Sequence, residues 1–217
     1  MHLKRNKIPK FWPIPRKGTK YLALANHNQK ESIPLLIVLR DILKLVRNKK
    51  ELKKVLNEEQ IKVNQKKIQE TNFPVGLFDI IHISTTKKNY QVNLSENKKI
   101  SLKEISDKEA ETKIFKVENK KILLKNQTQL NLMGGKNIIS TKKILVGESI
   151  ILELKNNKIL EIIPFKEGEK VLVIKGKHQG YSGTINKIKH LGNKKIAEII
   201  FNKTTVNVWN KNLIMIK

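Results

Sequence analysis

Residues 169–188 read EKVLVIKGKHQGYSGTINKI, and this stretch decides how the rest of the chain is read. Residues 171–174 form a short apolar run that ends in Lys175, Gly176 and Lys177. Gly180 and Gly183 follow, and a second apolar start comes at Ile185. The pattern predicts a strand, a glycine-punctuated basic loop and a returning strand. Glycine permits positive φ and close approach of backbone to a partner. Two lysines and His178 place positive charge at the same loop. A hairpin of this kind, carried by a small barrel, is suited to an acidic partner.

Charge says the same of the whole chain. Lys and Arg number 45 against 19 acidic residues, a net charge of +26 on 217 residues. Such a field attracts polyanions and repels a second copy of the same chain, so no homo-oligomer is expected. The excess is spread out: +11 over residues 1–84, +7 over 85–165 and +8 over 166–217. That spread fits a protein enclosed by its partner better than one with a single docking patch. Nucleic acid is the first expectation and an anionic membrane surface the second. No apolar run approaches the roughly 20 residues of a membrane span; residues 33–46 are interrupted by Arg40, Asp41 and Lys44. Cysteine is absent, which excludes a disulfide framework and thiolate metal sites. A cytoplasmic location is expected.

Residues 1–30 hold eight cations, no acid and three prolines. They predict an extended basic arm, with Phe11 and Trp12 as apolar anchors that order on RNA or on a neighbouring domain. Residues 32–78 read as an α-then-β unit. Pro34 suits a first helical turn after Ser32 or Ile33. Leu35, Val38, Ile42 and Leu45 recur at helical spacing, which puts Arg40, Lys44 and Arg47 together on the opposite face. Asn48 caps a second helix in capping-box style with Glu51. Residues 60–64 alternate like a half-buried strand and turn at Asn64-Gln65.

Residues 79–165 read as β structure. Short runs at 90–94, 114–117, 122–124, 130–132, 138–139, 150–154 and 159–163 are separated by Asn97, Gly134-Gly135, Gly147 and Asn156-Asn157. A helical turn is expected within 102–110. Runs at 196–201, 206–209 and 213–216 would complete a five-stranded barrel with the opening hairpin. The expected fold class is α+β, mostly β. It comprises an arm (1–31), a small α/β module (32–84), a central β-barrel-like domain (85–165) and an SH3-like barrel (166–217).

Tests for chemistry fail. A phosphate loop at Gly176-Lys177 would need Gly at Val171 and Ser or Thr at His178; at Gly135-Lys136 it would need them at Leu130 and Asn137. His2, His27, His82, His178 and His190 match no metal-ligand spacing. No nucleophile elbow or clear carboxylate pair exists, so the chain is expected to be no enzyme and to need no cofactor. RNA is favoured over DNA, because no helix-turn-helix or zinc-finger pattern is present and small barrels suit irregular RNA shapes.

These pieces resemble known modules. SIPLLIVLRDILKLV followed by ELKKVLNEEQIKVNQKKI resembles the alpha-L RNA-binding module, and KVLVIKGKHQGYSGTINKI resembles the KOW motif. Together with HLKRNKIPKFWPIPRKG and FPVGLFDII, in this order and length, the chain resembles the S-four-e family of archaeal and eukaryotic small-subunit ribosomal proteins. WPIPRKG leans to the archaeal type. The resemblance implies a structural constituent of the small subunit that binds its rRNA beside other ribosomal proteins, without catalysis.

The resemblance also implies where RNA is met. Arg40 and Arg47 would lie on the module's first helix, and Lys62, Asn64 and Lys66 on its strand and turn. Gly176, Gly180 and Gly183 would lie in the KOW loop. Charge adds Lys4, Arg5, Lys7, Lys10, Arg16, Lys17 and Lys20 in the arm, and Trp12 joins them as its apolar anchor. It also adds Lys44, Lys53, Lys54, Lys67, Lys136, Lys175, Lys177 and His178. Gln65 stands where the module has Gly, which disfavours a type I′ turn. A free-standing regulator of transcription elongation or RNA processing is the alternative. An RNA-modifying enzyme would need a catalytic signature that residues 79–165 lack.

Overall fold

The computed structural model describes residues 3–123, 127–192, 194–201 and 204–217. The chain divides into two compact units, residues 1–111 and 112–217. His2, Leu124 and the end of the strand expected over 122–124 lie outside the described residues.

The first unit contains β1 (Leu3–Lys4), β2 (Tyr21–Leu22), β3 (Ile33–Pro34), α1 (Leu35–Ile37) and α2 (Lys49–Asn57). It continues with β4 (Ile61–Val63), β5 (Lys66–Lys67), β6 (Pro74–Val75), β7 (Ile80–Ile83), β8 (Lys88–Leu94) and β9 (Ile100–Ile105). Strands β5-β4-β7-β8-β9 form one antiparallel sheet. The expected boundary at 84–85 therefore cuts the β7–β8 hairpin. The alternation of residues 100–105 was masked by Lys103 and Glu104, so β9 stands where a helical turn was expected. Only Glu109–Glu111 makes such a turn.

The first helix is shorter than its periodicity predicts. Leu35–Ile37 passes into a wide π turn over Val38–Ile42. Leu43 N–H then bonds Val38 O at 3.0 Å, Leu45 N–H bonds Leu39 O at 2.9 Å, and Lys44 takes φ +55°. A left-handed residue in this role ends a helix. The turn buries Val46 and leaves Leu45 44% exposed. Pro34, not Ser32, occupies the cap position, and the Ser32 hydroxyl donates instead to Asn28 O at 2.8 Å. The second helix starts as predicted: Asn48 Oδ1 accepts from Glu51 N at 2.9 Å. The reciprocal bond differs, since Glu51 Oε2 accepts from Arg47 N at 2.7 Å.

Trp12 lies inside this unit's apolar core with Ile33, Leu35, Leu52, Leu56, Ile61 and Ile81. Its Nε1 donates to Ser32 O at 3.2 Å. Phe11 O accepts from Ile100 N at 2.8 Å. The basic N-terminal stretch is thus fastened to its own unit by the two anchors legible in the sequence. Asn64 and Gln65 both have positive φ (+50° and +65°) between paired Val63 and Lys66, a two-residue hairpin turn of the primed kind. The missing glycine is compensated by hydrogen bonds. Asn64 Nδ2 donates to Asp79 Oδ1 at 2.6 Å, Asn64 Oδ1 accepts from Ile80 N at 3.0 Å, and Gln65 Nε2 reaches Ala110 O at 3.2 Å.

The second unit contains β10 (Thr112–Ile122), β11 (Thr128–Leu132), β12 (Asn137–Ser140), β13 (Ser149–Glu153) and β14 (Ile159–Ile163). These pair in the order β12-β11-β10-β13-β14. A second five-stranded sheet follows from β15 (Lys170–Val173), β16 (Ser182–Leu191), β17 (Lys194–Phe201), β18 (Thr204–Trp209) and β19 (Leu213–Met215). Its order is β18-β17-β16-β15-β19. Val171, Val173, Ile185, Ala197, Ile199 and Met215 form its core. The two sheets are tied through Ser149, whose Oγ accepts from Met215 N at 3.0 Å. The molecule is mostly β with few helices.

Candidate nucleic-acid interface

The helix-ending turn and α2 create the site. Because the chain reverses at Lys44 and restarts at Asn48, Lys44, Leu45, Arg47, Asn48, Lys50, Glu51 and Lys54 line one open depression of about 820 Å³. Four cations face one acid there, and Glu51 already accepts from the Arg47 backbone. Lys50 and Lys54 share a face at i, i+4 spacing on α2. Its opposite face buries Leu52 and Leu56. Four long cations converging on an open concavity form a surface for a polyanion rather than a pocket for a small apolar ligand.

This geometry corrects the expected helical face. Arg40, Lys44 and Arg47 do not share one helix, because the wide turn ends at Ile42. Arg40 instead clasps Asp41 with Nε–Oδ1 3.1 Å and Nη2–Oδ2 2.9 Å. Lys44 and Arg47 stay together, and Lys50 replaces Arg40 in the group. The i, i+4 spacing of Lys50 and Lys54 was the available signal for Lys50. Lys53 is exposed on α2 but does not line the depression.

A second cationic row runs across the sheet of the first unit. Lys62 on β4 stands directly opposite Lys67 on β5. Like charges in cross-strand register repel, and an anion over the row relieves that repulsion. Lys67 also pairs with Glu59. Lys66 is exposed at the turn. Asn64, by contrast, spends its amide on Asp79 and Ile80 and serves the hairpin.

In the arm, Lys4, Lys7, Lys10, Arg16, Lys17 and Lys20 are exposed. Arg5 is a loop clamp: its guanidinium donates to Thr19 O and Pro15 O, both at 2.7 Å, and to Thr19 Oγ1 at 3.1 Å. A Cβ on Gly18 would lie 2.7 Å from Arg5 Nη2, so the clamp requires that glycine. Trp12 is only 4% exposed and belongs to the core rather than to a contact surface.

The loop between β15 and β16 takes the expected shape at Gly176 (φ +104°) and Gly180 (φ +91°). Gly180 N–H closes it on Val173 O at 2.8 Å. Lys175 and Lys177 are exposed there. His178 lies in an aromatic group, with ring centroids 6.4 Å from Phe201 and 6.3 Å from Tyr181. Gly183 is not a loop residue. It lies in β16, where a Cβ would meet Ile200 O at 2.3 Å and Phe201 Cδ1 at 2.7 Å. Its role is close strand packing. Lys136 is half-buried, with Nζ 5.4 Å from the Phe115 ring centroid.

Beneath these loops lies Lys116, 4% exposed. Its Nζ donates to Leu213 O at 2.7 Å and to Asn210 O. Burial pushes its pKa down to about 8, while Glu118 opposes the shift and Lys175 and Lys211 add to it. No cluster of His, Cys, Asp and Glu suited to a metal occurs among the described residues. Nor is any helix among them long and apolar enough to cross a membrane.

Comparison with known proteins places the chain in a family. The model of ribosomal family S4e matches residues 86–159. The small ribosomal subunit protein eS4 of Methanosphaera stadtmanae is 39% identical over 191 residues, covering 87% of this chain and 79% of the relative. That of Methanospirillum hungatei is 36% identical over 196 residues, covering 88% and 80%. The crystal structure of the 30S ribosomal protein S4e from Thermoplasma acidophilum superposes with a TM-score of 0.74 at 29% identity, covering 86% of this chain and 95% of that one. The chain belongs to the S4e family of ribosomal proteins, archaeal in type, and is a structural protein rather than an enzyme.

Proposed function

We propose that this protein is a structural constituent of the small ribosomal subunit that binds and stabilises small-subunit rRNA, chiefly through Lys and Arg contacts to phosphates. The observation that carries this reading is the depression lined by Lys44, Arg47, Lys50 and Lys54. Phosphate contacts of this kind supply affinity and position without reading sequence. The exposed arm lysines, the Lys62–Lys67 row and the loop lysines Lys175 and Lys177 serve as further grips. Residues 32–84, whose sheet continues through β8 and β9, act as an alpha-L module and residues 166–217 as a KOW barrel, with neighbouring ribosomal proteins as additional partners in the cytoplasmic ribosome.

The test is sedimentation of cell extract at moderate salt. Co-migration of the chain with small subunits is expected. A free or polymerase-bound population would instead support a regulator of transcription or RNA processing.

A further inference from the structure

Strand register places His82 beside the Lys62–Lys67 pair. Lys67, Lys62, His82 and Asn89 are aligned across β5, β4, β7 and β8. Residues in register across antiparallel strands point to the same side. Exposure falls along this row: Lys67 is exposed, Lys62 and His82 are half-buried, and Asn89 is buried. Lys67 shares its charge with Glu59. The other face of the same strands, with Ile61, Val63, Ile81 and Ile83, belongs to the apolar core.

Hydrogen bonds fix which nitrogen of the ring carries the proton. Asn89 Nδ2 donates to Asp107 Oδ1 at 2.6 Å. An ionised carboxylate only accepts, so the Asn89 amide turns its nitrogen to Asp107 and its oxygen to His82. That oxygen lies 2.6 Å from His82 Nδ1, which makes Nδ1 the protonated nitrogen. Neutral His82 therefore presents a lone pair at Nε2. No described residue bonds Nε2, and it is not among the enclosed atoms that lack a partner, so it opens to solvent. Asn89 and Asp107 alone would hold the turn after β9 on the sheet; the imidazole adds an oriented acceptor.

An acceptor beside two cations selects its ligand. Lys62 and Lys67 favour a phosphate over the row. The Nε2 lone pair repels a phosphate oxygen and needs a donor. Next to each phosphate of an RNA backbone, the donor is the ribose 2′-hydroxyl, which DNA lacks. Base amines donate too, but the lysines hold the backbone, not the base edges, against these strands.

We propose that His82 is a specificity-determining residue that accepts a hydrogen bond from a ribose 2′-hydroxyl, with Asn89 and Asp107 as positioning residues. The inference rests on the rRNA-binding reading above and adds discrimination of RNA from DNA to contacts that meet phosphate alone.

The experiment uses the full chain at about pH 8, where free histidine is neutral. Filter binding compares a small-subunit rRNA transcript with two versions carrying 2′-fluoro groups, one at its pyrimidines and one at its purines. Fluorine keeps the sugar geometry of RNA but cannot donate. In one version the affinity loss is expected to be roughly fivefold larger for the wild type than for His82→Phe, the net worth of one hydrogen bond. Equal losses for the two chains in both versions overturn the proposal. Proton–nitrogen correlation spectra of the imidazole give a second test that does not need His82→Phe to fold. The wild-type chain should carry the His82 proton on Nδ1, and Asn89→Leu should shift it toward Nε2. A wild-type proton on Nε2, or an unchanged spectrum in Asn89→Leu, overturns the proposal. Failure of the wild-type chain to bind the unmodified transcript at all sinks the underlying function instead.

Discussion

The ammonium of Lys116 donates to the carbonyl of Leu213 at 2.7 Å inside the second unit. The contact joins β10 to the chain entering β19, and the same nitrogen also caps the Asn210 carbonyl. A lysine in this place keeps its charge against burial and against Lys175 and Lys211. The packing of the two sheets is therefore coupled to the electrostatics of the basic loops outside.

That coupling has a pH signature. With its pKa lowered from 10.5 to about 8, folded Lys116 releases its proton before the unfolded chain does. The unfolded state binds more protons between these values, so Lys116 makes stability rise with pH through this window. Relative to Lys116→Met, the wild type should gain up to about 3 kcal/mol between pH 8 and 10.5, and the difference should be flat below pH 7. Urea denaturation of both proteins across that range measures it. A difference that is constant with pH would contradict the account.

The ion pairing of Arg40 separates it from the depression. Arg47→Glu is expected to weaken binding to small-subunit rRNA roughly tenfold or more, because it removes one phosphate contact and adds repulsion. Arg40→Glu should cost clearly less, although the uncorrected helical face would rank the two alike. Filter-binding titrations at one salt concentration decide between them.

Trp12 supports the fold rather than a contact. Trp12→Ala should destabilise the protein by about 3–5 kcal/mol, the usual cost of emptying a buried aromatic site. Trp12→Phe should lower the denaturation midpoint yet leave rRNA affinity within twofold. Loss of affinity in a folded Trp12→Phe chain would return Trp12 to the interface.

Gly183 is predicted to be intolerant of any side chain. A Cβ there meets the Ile200 carbonyl oxygen, and backbone cannot swing aside as a side chain can. Gly183→Ala should destabilise by roughly 1–3 kcal/mol through overpacking, measured by thermal unfolding.

The sequence was most legible where one local signal decides one local structure. The Asn48 cap, the glycine loop at Gly176 and Gly180, and the strands at 196–201 and 206–209 follow from capping chemistry, positive φ and alternation. It was least legible where tertiary bonds override propensity. Periodicity through Leu45 runs past a helix that a wide turn and Lys44 in the left-handed region end early. The Asn64-Gln65 turn lacks its glycine and is held by Asp79 and Ala110, which lie 15 and 45 residues away. Composition found the cations but not their partners. Arg5, Arg40 and Lys136 were indistinguishable from Lys44 or Lys50 until Thr19, Asp41 and Phe115 were placed beside them.

The most direct test of the central claim is the salt dependence of binding to small-subunit rRNA. The wild-type chain is compared with one carrying Lys44→Ala, Arg47→Ala, Lys50→Ala and Lys54→Ala together. Each phosphate contact contributes about 0.7–0.9 to the slope of log Kobs against log salt. The four substitutions should lower that slope by roughly 3 while leaving thermal stability near wild type. An unchanged slope in a folded variant would show that the depression does not meet rRNA phosphates.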